Sequence, residues 1–161
     1  MSRIKDLLNG KDSVLVFDVD GVLAVCEFGE HTHFVLTDEE WDALCKTGQS
    51  LYSEDKVSPK MQNFLKDKDR SRIYVITASG TSNEGEDKKN FVNKYYHILK
   101  ENVYYVDRSR NKLEILRKIK EKYPDLEEEK LIMIDDTCSI LNEIMENSGF
   151  STAHISSFLD L

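Results

Sequence analysis

The chain has 161 residues, 40% of them hydrophobic and 32% charged, which is the length of one domain and close to the make-up of an ordinary globular protein. Its 22 basic and 30 acidic residues leave a net charge of −8, which argues against the basic stripe that a general nucleic-acid binder needs. No apolar run approaches the ~20 residues of a membrane span, residues 1–6 have no signal-peptide core, and Cys26, Cys45 and Cys138 lack zinc-site spacing, so a cytoplasmic protein with reduced thiols and no membrane contact is expected.

Taken in chain order, Ile4, Leu7 and Leu8 share one face of a short helix that Gly10 ends. Val14-Leu15-Val16-Phe17 reads as a buried strand. Residues 24–57 are the least regular stretch and suit a flap or small lid. Within them Thr37-Asp38-Glu39-Glu40 has capping-box spacing, with Trp41, Leu44 and Cys45 as the apolar stripe behind it. Trp41 is expected in the core of this insertion, with base stacking as the less favoured role. His31 and His33 would face the same way on a strand; without a third ligand they read as flap residues.

Ser58-Pro59 starts a further helix with Met61, Phe64 and Leu65 on its buried face. Ile73-Tyr74-Val75-Ile76 is a second strand, and residues 79–86, with two glycines, are expected as a loop. Phe91, Val92, Tyr95, Tyr96 and Leu99 repeat at helical spacing, and Val103-Tyr104-Tyr105-Val106 is a third strand. A helix through Leu113, Leu116 and Ile119 stops before Pro124, and Leu131-Ile132-Met133-Ile134 is the fourth strand. Ile140, Leu141, Ile144 and Met145 form a last helix that Gly149 ends, before a short strand near residues 152–155. The strands are unbroken apolar runs alternating with helices, the pattern of a parallel sheet buried on both faces. One α/β domain over residues 1–161 is expected, three-layered and Rossmann-like, with about five parallel strands.

In such a sheet the site lies beyond the carboxyl ends of the strands. After the first strand come Asp18-Val19-Asp20-Gly21; after the second, Thr77, Ala78 and Ser79; after the third, Asp107 and Arg108, with Lys112 close behind; after the fourth, Asp135-Asp136. Carboxylates so crowded repel one another. A hard cation such as Mg²⁺ relieves that repulsion and, with a lysine, lets a phosphate approach. Asp18 would then be a carboxylate nucleophile on phosphorus, with Asp20 free for acid–base work. Lys88 and Lys89 compete with Lys112 for the phosphate; Lys112 is preferred because it follows the third strand and opens a helix, and the other pair reads as a solvated helix start or a substrate contact. Cys138 lies close enough to Asp136 for its oxidation to disturb the site, and Tyr95, Tyr96, Tyr104 and Tyr105 read as packing residues.

These residues carry a resemblance. Phe17-Asp18-Val19-Asp20-Gly21-Val22-Leu23 resembles the first motif of the haloacid dehalogenase (HAD) superfamily in its phosphatase form. Thr77, Lys112 and Asp135-Asp136 resemble the second, third and fourth, in the right order and across nearly the whole chain. The resemblance implies a Mg²⁺-dependent phosphomonoesterase working through an aspartyl phosphate. Asp18 would be nucleophile and metal ligand, and Asp20 the general acid/base and, through its carbonyl, a ligand. Thr77 would bind the phosphoryl group, Lys112 neutralise charge, and Asp135 and Asp136 complete the metal site. No large cap fits between the second and third motifs. Residues 18–24 are also similar to the first motif of the 5′(3′)-deoxyribonucleotidase-like branch, and 87–95 to the helix after its second motif. The expected partner is therefore a nucleotide or other small phosphorylated molecule. An open site would instead favour a phosphoprotein or a nucleic-acid end, and a binding module without turnover is a third reading.

Overall fold

The structure is a computed structural model that describes residues 3–25, 36–107 and 111–159. Cys26, His31, His33 and Arg108 lie outside the described residues. The elements run α1 Arg3–Asn9, β1 Val14–Phe17, α2 Asp38–Cys45, α3 Pro59–Leu65, β2 Ile73–Ala78, α4 Ser82–Tyr96, β3 Val103–Val106, α5 Lys112–Glu121, β4 Leu131–Asp135, α6 Cys138–Asn147 and β5 Ser151–His154, with short 3₁₀ turns between some of them. The five strands form one parallel sheet in the order β3-β2-β1-β4-β5. The first strand is therefore central, and the expected three-layer α/β architecture is observed.

Strand residues alternate between two apolar clusters. Leu15, Phe17, Ile73, Val75, Ile132 and Ile134 point to one face and meet residues of α1 through α4, among them Leu8, Trp41, Met61 and Phe91. Val14, Val16, Tyr74, Ile76, Leu131 and Met133 point to the other and meet Leu113, Leu116 and Ile119 of α5 and Leu141 and Ile144 of α6. With both faces covered, every position of β1 and β4 is buried, which is why these strands read as unbroken apolar runs.

Local signals explain most helix ends. The Thr37 side chain accepts from the Glu40 N–H at 3.3 Å, and the Glu40 carboxylate accepts from the Thr37 N–H at 2.9 Å, so the capping box forms. Ser58 caps α3 with Pro59 in its first turn. Three expectations need correction. The segment 79–86 is mostly helix: Thr81 caps α4, and Gly85 sits inside it because the Tyr105 ring occupies the space a Cβ would take. That helix also ends early, at Tyr96, where His97 turns left-handed at φ 56°, leaving Leu99 beyond it and partly exposed. Met145 is exposed on α6, whereas Leu141 and Ile144 carry its buried face.

Candidate active site

Parallel pairing of the two central strands builds the site. β1 and β4 run in register with Phe17 beside Ile134, and the Asp18 N–H donates to the Ile134 carbonyl at 2.9 Å. The next residue on each, Asp18 and Asp135, therefore emerge together at the carboxyl edge. Carboxylate oxygens of Asp18, Asp135 and Asp136 lie within 4.8 Å of one another. Backbone donors orient two of them: Val19 N–H reaches Asp18 Oδ1 at 2.8 Å, and Thr137 N–H reaches Asp135 Oδ1 at 2.9 Å. The remaining oxygens face Lys112, the first residue of α5. Its Nζ lies 3.1 Å from Asp18 Oδ2 and 2.8 Å from Asp135 Oδ2.

Electrostatics follow from this crowding. Burial and then the Asp18 charge push the Asp135 carboxyl above the ordinary carboxylate range, against the pull of Lys112 and the Thr137 N–H. Burial disfavours the Lys112 ammonium, but Asp18 and Asp135 outweigh it and hold the lysine above its usual value. One cation thus bridges two of three clustered carboxylates. Gly21 closes the arrangement. Its φ of +73° is left-handed, and the Asp136 carboxylate occupies the place its Cβ would need. Only glycine lets the turn after β1 come this close to the fourth-strand pair.

Asp20 stands outside that cluster and is held by other residues. Tyr52 donates its hydroxyl to Asp20 Oδ1 at 2.8 Å, and Lys88 Nζ lies 2.7 Å from Asp20 Oδ2. Lys88 is 1% exposed; it also meets Glu84 Oε1 at 2.7 Å and donates to the Ala78 carbonyl at 2.6 Å. An ammonium has three donors, and these three acceptors use them. Burial works against the charge of Lys88, but Asp20 and Glu84 more than offset it, so its pKa is raised. Burial, then Asp20 and Glu84, push the Tyr52 hydroxyl well above its usual value.

Thr77 is the next-to-last residue of β2, on the same edge. It is fully buried, and neither its Oγ1 nor the Oγ of buried Ser79 has a hydrogen-bond partner among the described residues. Buried hydroxyls without partners are uncommon in folded proteins, and they suit a site that receives an oxygen-rich ligand. The three-carboxylate cluster suits a cation equally well: its donors are all hard oxygens, the preference of Mg²⁺ and Ca²⁺ rather than of thiophilic metals.

Of the residues singled out in the sequence, Asp18, Asp135, Asp136 and Lys112 come together directly, and Thr77 sits at the adjacent strand end. Of the two readings given for Lys88 and Lys89, a solvated helix start or a substrate contact, the first fails for Lys88, which is buried against Asp20, while Lys89 is half-exposed. Asp107 is exposed at the end of β3. Trp41 is buried in the cluster that holds Val19, Val22 and Leu23 from the turn after β1. Two participants were not foreseen. Glu84 could have been read as an i,i+4 partner of Lys88. Tyr52 lies in an aperiodic stretch that gives no such signal.

No protein-family model matches the chain, and no curated protein matches it. Solved structures do. DsGPDH of Dunaliella salina aligns over 94% of this chain with a TM-score of 0.58 at 18% identity; the chain spans a quarter of that protein's length. The HAD domain of the effector Lem4 from Legionella pneumophila aligns over 88% of this chain and 84% of its own, with a TM-score of 0.50 at 16% identity. A haloacid dehalogenase-like family hydrolase from Streptococcus pneumoniae aligns over 92% of this chain and 97% of its own, with a TM-score of 0.53 at 16% identity. At these identities the likeness is one of fold, and the fold this chain shares with the latter two is that of haloacid dehalogenase-like domains.

Proposed function

We propose that the chain is a Mg²⁺-dependent phosphomonoester hydrolase that works through an aspartyl phosphate on Asp18. The observation that carries this reading is the Lys112 ammonium between Asp18 and Asp135, with Asp136 in the same cluster. The fold likeness to HAD-type hydrolases supports it. Asp18, Asp135 and Asp136, with the Asp20 carbonyl, would hold the cation. When bound, it would offset the negative charge of the phosphoryl group and carboxylates. In the first step an Asp18 oxygen forms a bond to phosphorus as the ester P–O bond breaks, and the leaving oxygen takes a proton from Asp20. In the second step Asp20 takes a proton from water, the water oxygen attacks phosphorus, and the bond to Asp18 breaks to release phosphate. Thr77 donates its hydroxyl to the phosphoryl oxygens, and Lys112 balances charge on Asp18 and phosphate. The described part of the 24–57 insertion, residues 36–57, acts as a small lid, and the substrate is a nucleotide or another small phosphomonoester.

The test is a Mg²⁺-dependent assay over nucleotides, sugar phosphates, phosphopeptides and end-phosphorylated oligonucleotides. Small phosphomonoesters are expected to turn over best; a preference for peptides or oligonucleotides would move the substrate to a macromolecule. Asp18→Asn should fold and lose detectable turnover. Asp20→Asn should be slower by roughly 10²–10⁴-fold and accumulate phosphoenzyme with good leaving groups. Substantial turnover by Asp18→Asn would leave Asp18 a ligand only, with activated water as the nucleophile.

A further inference from the structure

We infer that Tyr52 is a positioning residue for Asp20, so that the segment between β1 and α3 supplies part of the acid–base apparatus rather than only covering the site. The inference deepens the phosphatase reading and rests on it. Its basis is a two-sided clamp: the Tyr52 hydroxyl on Oδ1 at 2.8 Å and the Lys88 ammonium on Oδ2 at 2.7 Å. A carboxyl group held at both oxygens has a fixed plane, and each oxygen keeps a further lone-pair position, where the proton destined for the leaving group can sit. Misplacing such a group by about 1 Å is enough to lose much of its contribution.

Each half of the clamp is itself anchored. Lys88 is fixed by Glu84 and the Ala78 carbonyl, and Glu84 Oε2 also accepts from the Gly80 N–H at 2.8 Å. Tyr52 is 5% exposed, with its ring against Phe91 at 5.8 Å and the Lys88 ammonium 5.7 Å from its centroid. The backbone before it is tied to α4, since Asp87 accepts from the Ser50 hydroxyl and from the Leu51 N–H, both at 2.7 Å. Those bonds set the position of the Tyr52 hydroxyl relative to Asp20. A tyrosine that served packing alone would have no need to send its hydroxyl to this carboxylate.

The experiment compares kcat/KM, which reports phosphoryl transfer to Asp18 and not its later hydrolysis, for p-nitrophenyl phosphate, whose leaving group departs readily, and for phenyl phosphate, whose leaving group needs the proton. Tyr52→Phe keeps the ring and removes only the hydroxyl. It should lower kcat/KM on phenyl phosphate about tenfold, a fraction of the roughly 10²–10⁴-fold of a whole general acid, and change kcat/KM on p-nitrophenyl phosphate less than threefold. On p-nitrophenyl phosphate kcat should fall together with KM, because hydrolysis of the phosphoenzyme needs Asp20 as its base. In an Asp20→Asn background the same substitution should have no further effect on the ratio of the two substrates, because the group it positions can no longer act. Equal losses on both substrates, an unchanged ratio, or an undiminished effect in the Asp20→Asn background would overturn the inference while leaving the phosphatase reading intact. Absence of Mg²⁺-dependent turnover in the parent protein would overturn both. If Tyr52→Phe folds poorly, Ser50→Ala, which loosens the tie between this segment and α4, should shift the substrate ratio in the same direction, and no shift there would also overturn it.

Discussion

Lys112 has more to lose than any single carboxylate around it. Its ammonium is nearly buried between Asp18 and Asp135, and its charge is what allows two carboxylates to sit so close without a cation. Lys112→Met keeps most of the stem and removes the charge. Breaking a buried pair in this way costs about 3–5 kcal/mol, because the partners stay behind uncompensated. Urea unfolding without Mg²⁺ should show that loss, and saturating Mg²⁺ should recover more stability in the variant than in the parent protein. Equal recovery would mean that lysine and metal do not share the carboxylates. Much of this residue-level pattern is legible in the sequence, because Asp18, Thr77 and Asp135 each stand at or directly after the apolar run of a strand. What is not legible is pairing at a distance: Lys88 meets Asp20 across 68 positions of chain, and a lone lysine in a polar helix start reads as solvated since lysines are seldom buried without a partner.

Among the elements, α4 is tied to the turn after β1 and to the start of α3 through one side chain, Tyr96. The Tyr96 hydroxyl donates to the Leu23 carbonyl and accepts from the Ser58 N–H at 2.8 Å, so three elements meet at one oxygen. Tyr96→Phe would strand both backbone groups, at a cost of about 1–3 kcal/mol near neutral pH. Burial pushes this hydroxyl up to about 12, with the Ser58 N–H opposing. A group with a raised folded pKa lends stability that is full below its unfolded value near 10 and lost as pH climbs through the folded value. The stability gap between parent and Tyr96→Phe should therefore be constant to about pH 10 and narrow toward pH 12. A gap unchanged across that window would show that folding does not raise the pKa of this hydroxyl. Sequence periodicity identified these elements and placed Tyr96 on the buried face of its helix. It misplaced the helix's start because it treated Gly80 and Gly85 alike as breakers, when Gly85 is the spot where Tyr105 packs, and its C-terminal end because the left-handed turn there is made by His97 and not by a glycine. The two central strands, β1 and β4, were easier: burial on both faces keeps their runs apolar up to the carboxyl edge.

At the scale of the whole molecule, folding itself assembles the carboxylate cluster. In the unfolded chain Asp18 and Asp135 are separated by more than a hundred residues; in the sheet they end adjacent central strands. Bringing them together raises the Asp135 pKa, chiefly by burial and then by the Asp18 charge. Since a raised folded pKa favours the protonated form, the contribution of Asp135 to stability is greatest below its unfolded value near 3.9 and declines as pH rises through the folded one. A divalent cation held as proposed would have the opposite preference: it would bind the ionised cluster of the native state and find no such cluster in the unfolded chain. Mg²⁺ should therefore stabilise the protein by mass action, by about 2.7 kcal/mol at a hundred times its dissociation constant. For a chain of this size that is roughly 5–10 °C in Tm. The shift should grow as pH rises above the ordinary carboxylate range and Asp135 ionises. Asp135→Asn should abolish most of it, while Asp107→Asn, on an exposed carboxylate at the end of β3, should leave it intact. Thermal melts across that range, with and without Mg²⁺, decide the matter: a shift independent of pH, or one that survives Asp135→Asn, would place the cation elsewhere on this acidic surface.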